Sequence, residues 1–278
     1  MKTMTKLAAV TLMALGSFAA PAAFAGKGGS ADLIRQAVTS GSTDAIVAEV
    51  EKTEGLMCED CVQLVTNLTA DSRYAVREVA GWWFAKRPAL RDMLVTQFED
   101  DLAGTDSVRV RNAADFLGAT VTLTALPQLR AAITHGGLST EAKLALVRAA
   151  KELAHTSGNP ILLTAMGDAD ASVRAAAVTA WRDILNQKSA LPVVALLGDA
   201  DANVRAQAAA VVGGMTELSG RAQLEGLLAD ADPFVRRNAA WALGRLGQEA
   251  SRVALTAATT DKSSLVRGVA KASLSQLH

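Results

Sequence analysis

The residues of this chain best suited to chemistry are its only two cysteines, in the segment Met57-Cys58-Glu59-Asp60-Cys61. Two cysteines three positions apart on a first helical turn can close a local disulfide in an oxidising compartment. The same pair could instead carry out thiol–disulfide exchange or contribute to a soft metal site. We expect a structural disulfide of Cys58 with Cys61, and we keep redox activity and metal handling as alternatives.

Haem attachment and a complete metal centre are poorly supported around these cysteines. Covalent haem attachment requires a histidine directly after the second cysteine, and Val62 stands there. The histidines, His135, His155 and His278, are distant in the sequence, and Met57 is the only nearby soft ligand. We therefore expect no cofactor and no metal.

The rest of the sequence carries no recognisable catalytic motif. It contains no GxSxG, no HExxH, no Walker loop and no dinucleotide-binding glycine pattern. The acidic run Glu99-Asp100-Asp101 is interpreted as a solvated helix end. The sequence thus predicts a protein that is not an enzyme.

A single basic position recurs along most of the chain at a nearly constant interval. The intervals are 34, 32, 31, 31, 31 and 31 residues, between Arg77, Arg111, Lys143, Arg174, Arg205, Arg236 and Arg267. In most copies a valine stands directly before this position, and in five an aspartate stands six residues before it. A period of this length predicts a solenoid of stacked units, in which each unit contacts only its neighbours.

Each unit reads as two antiparallel helices joined by a short turn rich in Asp and Ala. The first helix is apolar at helical spacing, as in Leu162, Leu163, Ala165 and Met166. The second helices are expected at 73–87, 107–119, 139–154, 171–186, 202–214, 233–246 and 263–277.

These features resemble the HEAT-repeat family, particularly the short bacterial units also seen in phycobilisome bilin lyases. The resemblance covers about residues 57–278 and implies an all-α fold, a right-handed α-solenoid of about seven helical hairpins with N-terminal capping helices. It also implies that turn carboxylates and helix guanidiniums align along the stack as a structural ladder. The ladder residues are Asp71, Arg77, Asp168, Arg174, Asp199, Arg205, Asp230, Arg236, Asp261 and Arg267. The third unit, with Gly137 and Lys143 in these positions, is expected to be a weak joint.

The N-terminus predicts export. Residues 1–25 combine a charged start at Lys2 and Lys6, an apolar run and the small-residue exit Ala23-Phe24-Ala25, as in a signal peptide cut after Ala25. Residues 26–56 are expected to form a leader and capping helices, and residues 57–278 the solenoid. We expect a periplasmic or secreted protein with no membrane insertion after cleavage. Lys plus Arg equal Asp plus Glu, at 28 each, which argues against a nucleic-acid partner.

The second helices are expected to line the concave surface, as the resemblance implies. The residue five positions after the recurring basic residue lies, by helical spacing, on the side of the helix that faces away from the core. Aromatic residues at this position are candidate binding anchors. The candidate binding residues are Trp82, Phe116, Arg148, Arg182, Arg237, Trp241 and Arg245. The alternative is that these aromatic rings pack against a neighbouring helix.

The function predicted from the sequence is an exported, non-catalytic scaffold that binds a protein or peptide through its concave face. The first alternative is a periplasmic thiol–disulfide or metal-handling protein that uses Cys58 and Cys61. A second alternative, implied only by the resemblance, is a bilin-lyase-like or chaperone-like activity.

Overall fold

The computed structural model describes residues 29–56, 58–215 and 219–278, and within them the regular structure is entirely helical. The predicted signal peptide, residues 1–25, lies outside the described residues. The helices are α1 Ala31–Ser40, α2 Thr43–Glu51, α3 Glu59–Leu68, α4 Tyr74–Ala85, α5 Pro88–Leu102, α6 Ser107–Ala119, α7 Leu126–Ala132, α8 Thr140–Leu153, α9 Asn159–Met166, α10 Ala171–Asp183, α11 Leu191–Val194, α12 Ala202–Gly214, α13 Arg221–Leu227, α14 Pro233–Leu246, α15 Arg252–Ala258 and α16 Ser264–Leu274.

The helices pair into hairpins, with the odd-numbered helix first in each pair. α1 and α2 precede the repeats, and the hairpins from α3–α4 to α15–α16 correspond to the seven units of the sequence period. Among the described helices, the principal contacts join each even-numbered helix to the next even-numbered helix, and most helices to their hairpin partners. This pattern confirms the predicted all-α solenoid, because distant hairpins do not meet around a common centre.

The turns fix where the second helices begin. Asp106, Asp170, Asp201 and Asp232 cap α6, α10, α12 and α14 by accepting hydrogen bonds from backbone N–H groups of the first turn. Such caps satisfy donors that have no partner inside the helix. The capping aspartate lies four residues before the recurring arginine in α10, α12 and α14 and five before it in α6, and it sets the start of each of these helices.

The recurring arginines tie one hairpin to the next. The Arg205 guanidinium donates to both carboxylate oxygens of Asp230 at 2.7 and 3.0 Å, and to the carbonyl oxygen of Asp199 in its own turn at 2.8 Å. Arg174 with Asp199 and Arg236 with Asp261 repeat this geometry. A planar fork suits this role because it can serve a carboxylate and a turn carbonyl together.

The third unit keeps its link to the next hairpin through a lysine. Lys143 Nζ lies 2.7 Å from Asp168 Oδ2, so an ion pair occupies the position where later units have an arginine fork. Among the described residues, no carboxylate takes the place of the turn aspartate at Gly137, and Arg111 instead donates to Asn112 Oδ1. The first half of the stack is joined by groups inside the second helices, which are described below.

No helix within the described residues is long and apolar enough to cross a membrane.

Candidate binding surface

A buried ionic network joins α4, α6 and α8 on one side of the second helices. Asp115, in the middle of α6, accepts from Arg77 Nε and Nη2 at 2.9 and 2.7 Å and from Arg148 Nη2 at 2.9 Å. The side chains of Asp115 and Arg77 are 1% and 4% exposed. Asp115 takes the place of the missing turn carboxylate, because the second unit has Thr105 at the ladder position.

Above this network, α4 and α8 touch across α6. The Tyr74 hydroxyl lies 3.0 Å from Oε1 of Glu78 and 3.0 Å from Oε1 of Glu152, and the Arg148 guanidinium lies 4.4 Å from the centre of the Tyr74 ring. Contact between hairpins that are not adjacent requires the stack to curve toward this side. We therefore assign this side of the second helices to the inner surface of the curve.

The packing of α4, α5 and α8 around α6 contradicts the prediction for one binding residue. Phe116 is 1% exposed and packs between Phe98, with ring centres 4.3 Å apart, and Phe84, at 5.6 Å. The prediction that Phe116 points into the concave surface is wrong, because α4, α5 and α8 enclose α6 on every side and bury seven consecutive residues, 112–118. Arg148 likewise serves the network with Asp115 and is only partly exposed.

The Glu152 carboxylate of this region is only partly satisfied by hydrogen bonds. Its Oε2 is buried without a hydrogen-bond partner, and a Cβ at position 118 would come within 2.3 Å of that atom, so Gly118 leaves the room that the carboxylate occupies. Burial raises the pKa of Glu152 to about 7; the hydrogen bond from Tyr74 opposes this rise, and the charges of Asp115 and Glu78 add to it. Burial also raises the pKa of Tyr74, so the phenol keeps its proton and donates it to one carboxylate at a time.

We expect Glu152→Gln to stabilise the protein at pH 8 by about 1–2 kcal/mol, after allowance for the partial exposure of the side chain. A carboxyl whose pKa is raised in the folded state costs stability as pH rises from its ordinary value of 4.5 to about 7. The amide carries no charge, so the gain should shrink at pH 5. Urea denaturation at both pH values measures it.

The matched control is Glu141→Gln, which removes an exposed carboxylate from the same helix. Its effect should be within about 0.5 kcal/mol at both pH values. A Glu152→Gln variant that is no more stable than the wild type at pH 8 would contradict the raised pKa.

Trp82 borders a small cavity beside this network. The ring is half-buried, with Lys86 Nζ 5.5 Å from its centre. The cavity, of about 280 Å³, is lined by Glu78, Trp82, Gly118, Ala119, Val121 and Glu152. Trp82 is therefore partly packed against the core and partly accessible from this cavity.

The largest aromatic exposure on the second helices lies on α14. Phe234 is 61% and Trp241 38% exposed, and Arg237 and Arg245 are exposed on the same side of the helix. We call these four residues the α14 face. Trp241 stands five positions after the ladder arginine, as Trp82 does in its own unit, so helical phase directs the α14 face toward the inner surface.

Local packing explains how Trp241 is held there. A Cβ at Gly213 would come within 2.8 Å of Trp241 Cζ3, so the ring rests against the backbone of α12. Next to it, a cavity of about 280 Å³ between α12 and α14 is lined by Ala202, Asn203, Ala206, Gln207, Asp232, Phe234, Arg237 and Asn238. The surface thus offers a shallow groove bordered by the Phe234 ring, and Trp241 lies two turns further along the same helix.

The α14 face is also positively charged. Arg237 donates only to Asn238 Oδ1, at 3.1 Å, and Arg245 forms no ion pair within the described chain. Arg182, the other predicted basic residue, is 46% exposed and lies 3.5 Å from Asp183. Residues 182, 237, 241 and 245 were all predicted as binding candidates, and the structure leaves their side chains accessible.

Cys58 and Cys61 form a disulfide at the N-terminus of α3. Cys61 is completely buried and Cys58 is half-buried. The loop that the bridge closes is very short, so it is expected to contribute only about 2 kcal/mol through chain entropy. None of the histidines lies near it: His135 Nδ1 lies 3.1 Å from Gly104 O, and His155 caps a short turn.

Within the described residues, no group of three His, Cys, Asp or Glu side chains is arranged to hold a metal ion.

The sequence pattern missed three residues of the inner surface. Asp115 could have been noticed as a carboxylate inside the otherwise apolar stretch Ala113–Gly118, whereas Tyr74 and Phe234 carry no signal in the period. Phe234 lies two positions before the ladder arginine, where the other units have Ala75, Arg109, Glu141, Ser172, Asn203 and Leu265. Only the structure shows that Phe234 is exposed on the same face of α14 as Trp241.

Comparison with known proteins agrees with this architecture. The family of HEAT repeats matches residues 190–275. The X-ray structure of YibA from E. coli is 16% identical over 88% of this chain and 92% of that protein, with a TM-score of 0.56. A crystal structure of an engineered protein is 17% identical, over 88% of this chain and 77% of the other, with a TM-score of 0.50. No curated protein sequence matches significantly.

These likenesses concern the fold, because identities of this size carry no information about activity. The matched segment holds the last three units, in which the ladder of arginine forks and turn carboxylates is regular. Residues 190–275 are therefore similar to HEAT repeats, and the likeness of the longer chain to solved structures concerns its fold.

Proposed function

We propose that this chain is an exported HEAT-repeat scaffold that binds a protein or peptide along its inner surface, and that it acts by binding rather than by catalytic turnover. The observation that carries the proposal is the α14 face, where two aromatic rings are exposed on the inner side of the stack. Exposed aromatic residues on a rigid helix are favoured anchors in protein interfaces because they bury a large area with little loss of side-chain entropy.

The charge of this face indicates the chemistry of the partner. Arg237 and Arg245 are exposed without a carboxylate partner in the described chain, on either side of Trp241 along the helix. A segment that alternates acidic and apolar side chains would pair with both guanidiniums and place an apolar group against Phe234 or Trp241. We therefore propose an acidic, partly apolar segment as the bound element.

Export is part of the proposal and is supported by two independent features. The pattern of residues 1–25 is that of a cleavable signal peptide, and a disulfide is retained in periplasmic or secreted proteins far more readily than in the cytosol.

Trp241→Ala should weaken binding at least tenfold while the protein stays folded. Truncation of an interface anchor typically costs 2 kcal/mol or more of binding free energy, whereas a partly exposed ring should cost less in folding stability, about 1–2 kcal/mol. The measurement is fluorescence anisotropy of a short labelled peptide in which glutamate alternates with leucine and phenylalanine. Thermal denaturation of both proteins checks the fold.

The matched control is Val253→Ala, which removes an exposed apolar side chain from α15, a first helix of its hairpin. This variant should bind the peptide as the wild type does. If Trp241→Ala instead lowered the melting temperature strongly, the ring would be a core residue and the proposed binding site would be wrong.

Charge reversal tests the partner chemistry separately. With Arg237→Glu, affinity for the acidic peptide should fall about tenfold, and the wild-type affinity should decrease with added salt. A matched peptide with lysine in place of glutamate should bind the wild type weakly. Equal affinity for both peptides would contradict an acidic partner, but it would not contradict the role of the aromatic residues as anchors.

A further inference from the structure

The disulfide lies beside a large cleft in the first hairpin of the stack, whereas the α14 face lies in the sixth. The cleft has a volume of about 610 Å³ and is lined by Cys58, Glu59, Val62, Trp83, Lys86, Arg87, Pro88, Ala89 and Leu90. Cys58 is half-buried and reaches this cleft, whereas Cys61 is fully enclosed. One sulfur of the bridge is thus accessible from the cleft and the other is protected.

The cleft continues into an apolar trough between α3 and α5. A second cavity, of about 490 Å³, shares Glu59, Val62 and Leu90 with the first one. It adds Met93, whose side chain is 65% exposed, and Leu94. A continuous set of apolar side chains, Val62, Leu90, Met93 and Leu94, therefore leads to Cys58.

The surroundings of Cys58 also suit a departing or attacking thiolate. Cys58 is the N-cap residue of α3, where backbone N–H groups favour negative charge. Lys86 and Arg87 line the same cleft and add positive charge, while Glu59 and Asp60 on the first turn of α3 oppose it.

Arg87 additionally fixes the segment before the cysteines. Its Nη2 donates to the carbonyl oxygens of Thr53, Glu54 and Leu56 at 2.7, 2.8 and 3.1 Å, and its guanidinium stacks 3.7 Å from the centre of the Trp83 ring. Trp83 Nε1 in turn donates to Thr53 Oγ1 at 2.9 Å. The cleft wall that carries Cys58 is therefore held by the core, so its position does not depend on the disulfide alone.

We propose that Cys58 undergoes thiol–disulfide exchange with a cysteine pair of a partner polypeptide whose apolar residues lie in this trough. A partner thiolate attacks Cys58 Sγ, the bond to Cys61 breaks, and Cys61 leaves as a thiolate that takes a proton. The second partner thiolate then attacks its own sulfur in the mixed disulfide, and Cys58 leaves as a thiolate. Two electrons and two protons pass from the partner dithiol to the bridge, and the same steps run in reverse with a partner disulfide.

The experiment uses two variants with one cysteine each, both treated in the folded state with the disulfide of thionitrobenzoate, which converts an accessible thiol to a mixed disulfide. In the Cys61→Ser variant, Cys58 should release the coloured thiolate at least tenfold faster with the peptide thiol Leu-Cys-Phe than with Ser-Cys-Ser, because the apolar peptide occupies the trough. The preference should disappear when Leu90→Ser is added. In the Cys58→Ser variant, Cys61 should resist labelling in the folded protein.

The intact bridge provides a second readout that does not depend on those variants. A peptide dithiol should reduce the wild-type disulfide under native conditions at a rate far above that of global unfolding, followed by mass spectrometry after alkylation. Reduction only at the rate of unfolding, or equal rates with both peptide thiols, would show a purely structural bridge and overturn the proposal. Neither result would affect peptide binding at the α14 face, so the two proposals fail separately.

Discussion

Asp115→Ala should destabilise the protein by about 3–5 kcal/mol, the largest effect expected for a single polar residue here. Within the described residues, the substitution removes the one carboxylate that forms an ion pair with the buried Arg77 guanidinium, and that carboxylate is also the partner of Arg148. Arg77 would keep its hydrogen bonds to the carbonyl oxygens of Asp71 and Ser72 at 2.7 and 2.8 Å, but its charge would be left without compensation. Urea denaturation followed by circular dichroism at neutral pH measures the loss.

The effect should be concentrated in the first half of the stack. In a solenoid, stability is close to a sum over units and their interfaces, so the loss should appear as faster hydrogen exchange in α4, α6 and α8. Asp100→Ala, which removes an exposed carboxylate from α5, is the matched control and should change stability by less than about 0.5 kcal/mol. A loss below about 1 kcal/mol for Asp115→Ala would mean that the network is not a structural joint.

Arg236→Ala should cost about 3 kcal/mol, because Arg236 links two turns at once. Its side chain is 4% exposed and donates to Asp261 at 2.8 and 3.0 Å and to the carbonyl oxygens of Asp230 and Ala231 at 2.8 and 3.0 Å. Removal takes the Arg236 donors away from the Asp261 carboxylate, which among the described residues keeps only the backbone N–H of Ser263, and from two carbonyl groups at the joint between the last two hairpins. Thermal or urea denaturation gives the magnitude.

The adjacent arginine is a close control. Arg237→Ala removes the same side chain one residue later on the same helix, where it is exposed and bonded only to Asn238. Its stability should stay within about 0.5 kcal/mol of the wild type. Similar losses for the two variants would contradict the ladder as the source of stability between hairpins.

The pH dependence of stability provides an independent test of the joint between Arg236 and Asp261. The hydrogen bonds from Arg236 hold the pKa of Asp261 below its ordinary value of 3.8, and Arg205 does the same for Asp230. A carboxylate with a lowered pKa contributes stability above its ordinary pKa, and this contribution is lost as pH falls through the folded value. The difference between the wild type and Arg236→Ala should therefore narrow below about pH 3.8.

The sequence determined the repeat and its hairpins because both are encoded within each period. A recurring Val-Arg pair, a turn aspartate and apolar residues at helical spacing place every second helix within a few residues of its position in the structure. The all-α solenoid was accordingly predictable. The partners of Arg174, Arg205 and Arg236 also follow from the period, since each pairs with an aspartate 25 residues later, at a fixed place in the next turn.

Only the tertiary structure decided what the inner surface looks like in each half. The curve that brings Tyr74 to Glu152 arises from small rotations between successive hairpins, and these depend on side-chain volumes across two interfaces rather than on any local pattern. The contact between α4 and α8 encloses α6, so that Phe116 is buried, Asp115 links the helices and the pKa of Glu152 is raised. In the later hairpins Trp241, at the same position of the repeat as Phe116, stays exposed. Equivalent positions thus became core in one unit and surface in another, because burial depends on how neighbouring helices approach, and the period specifies only which residues recur.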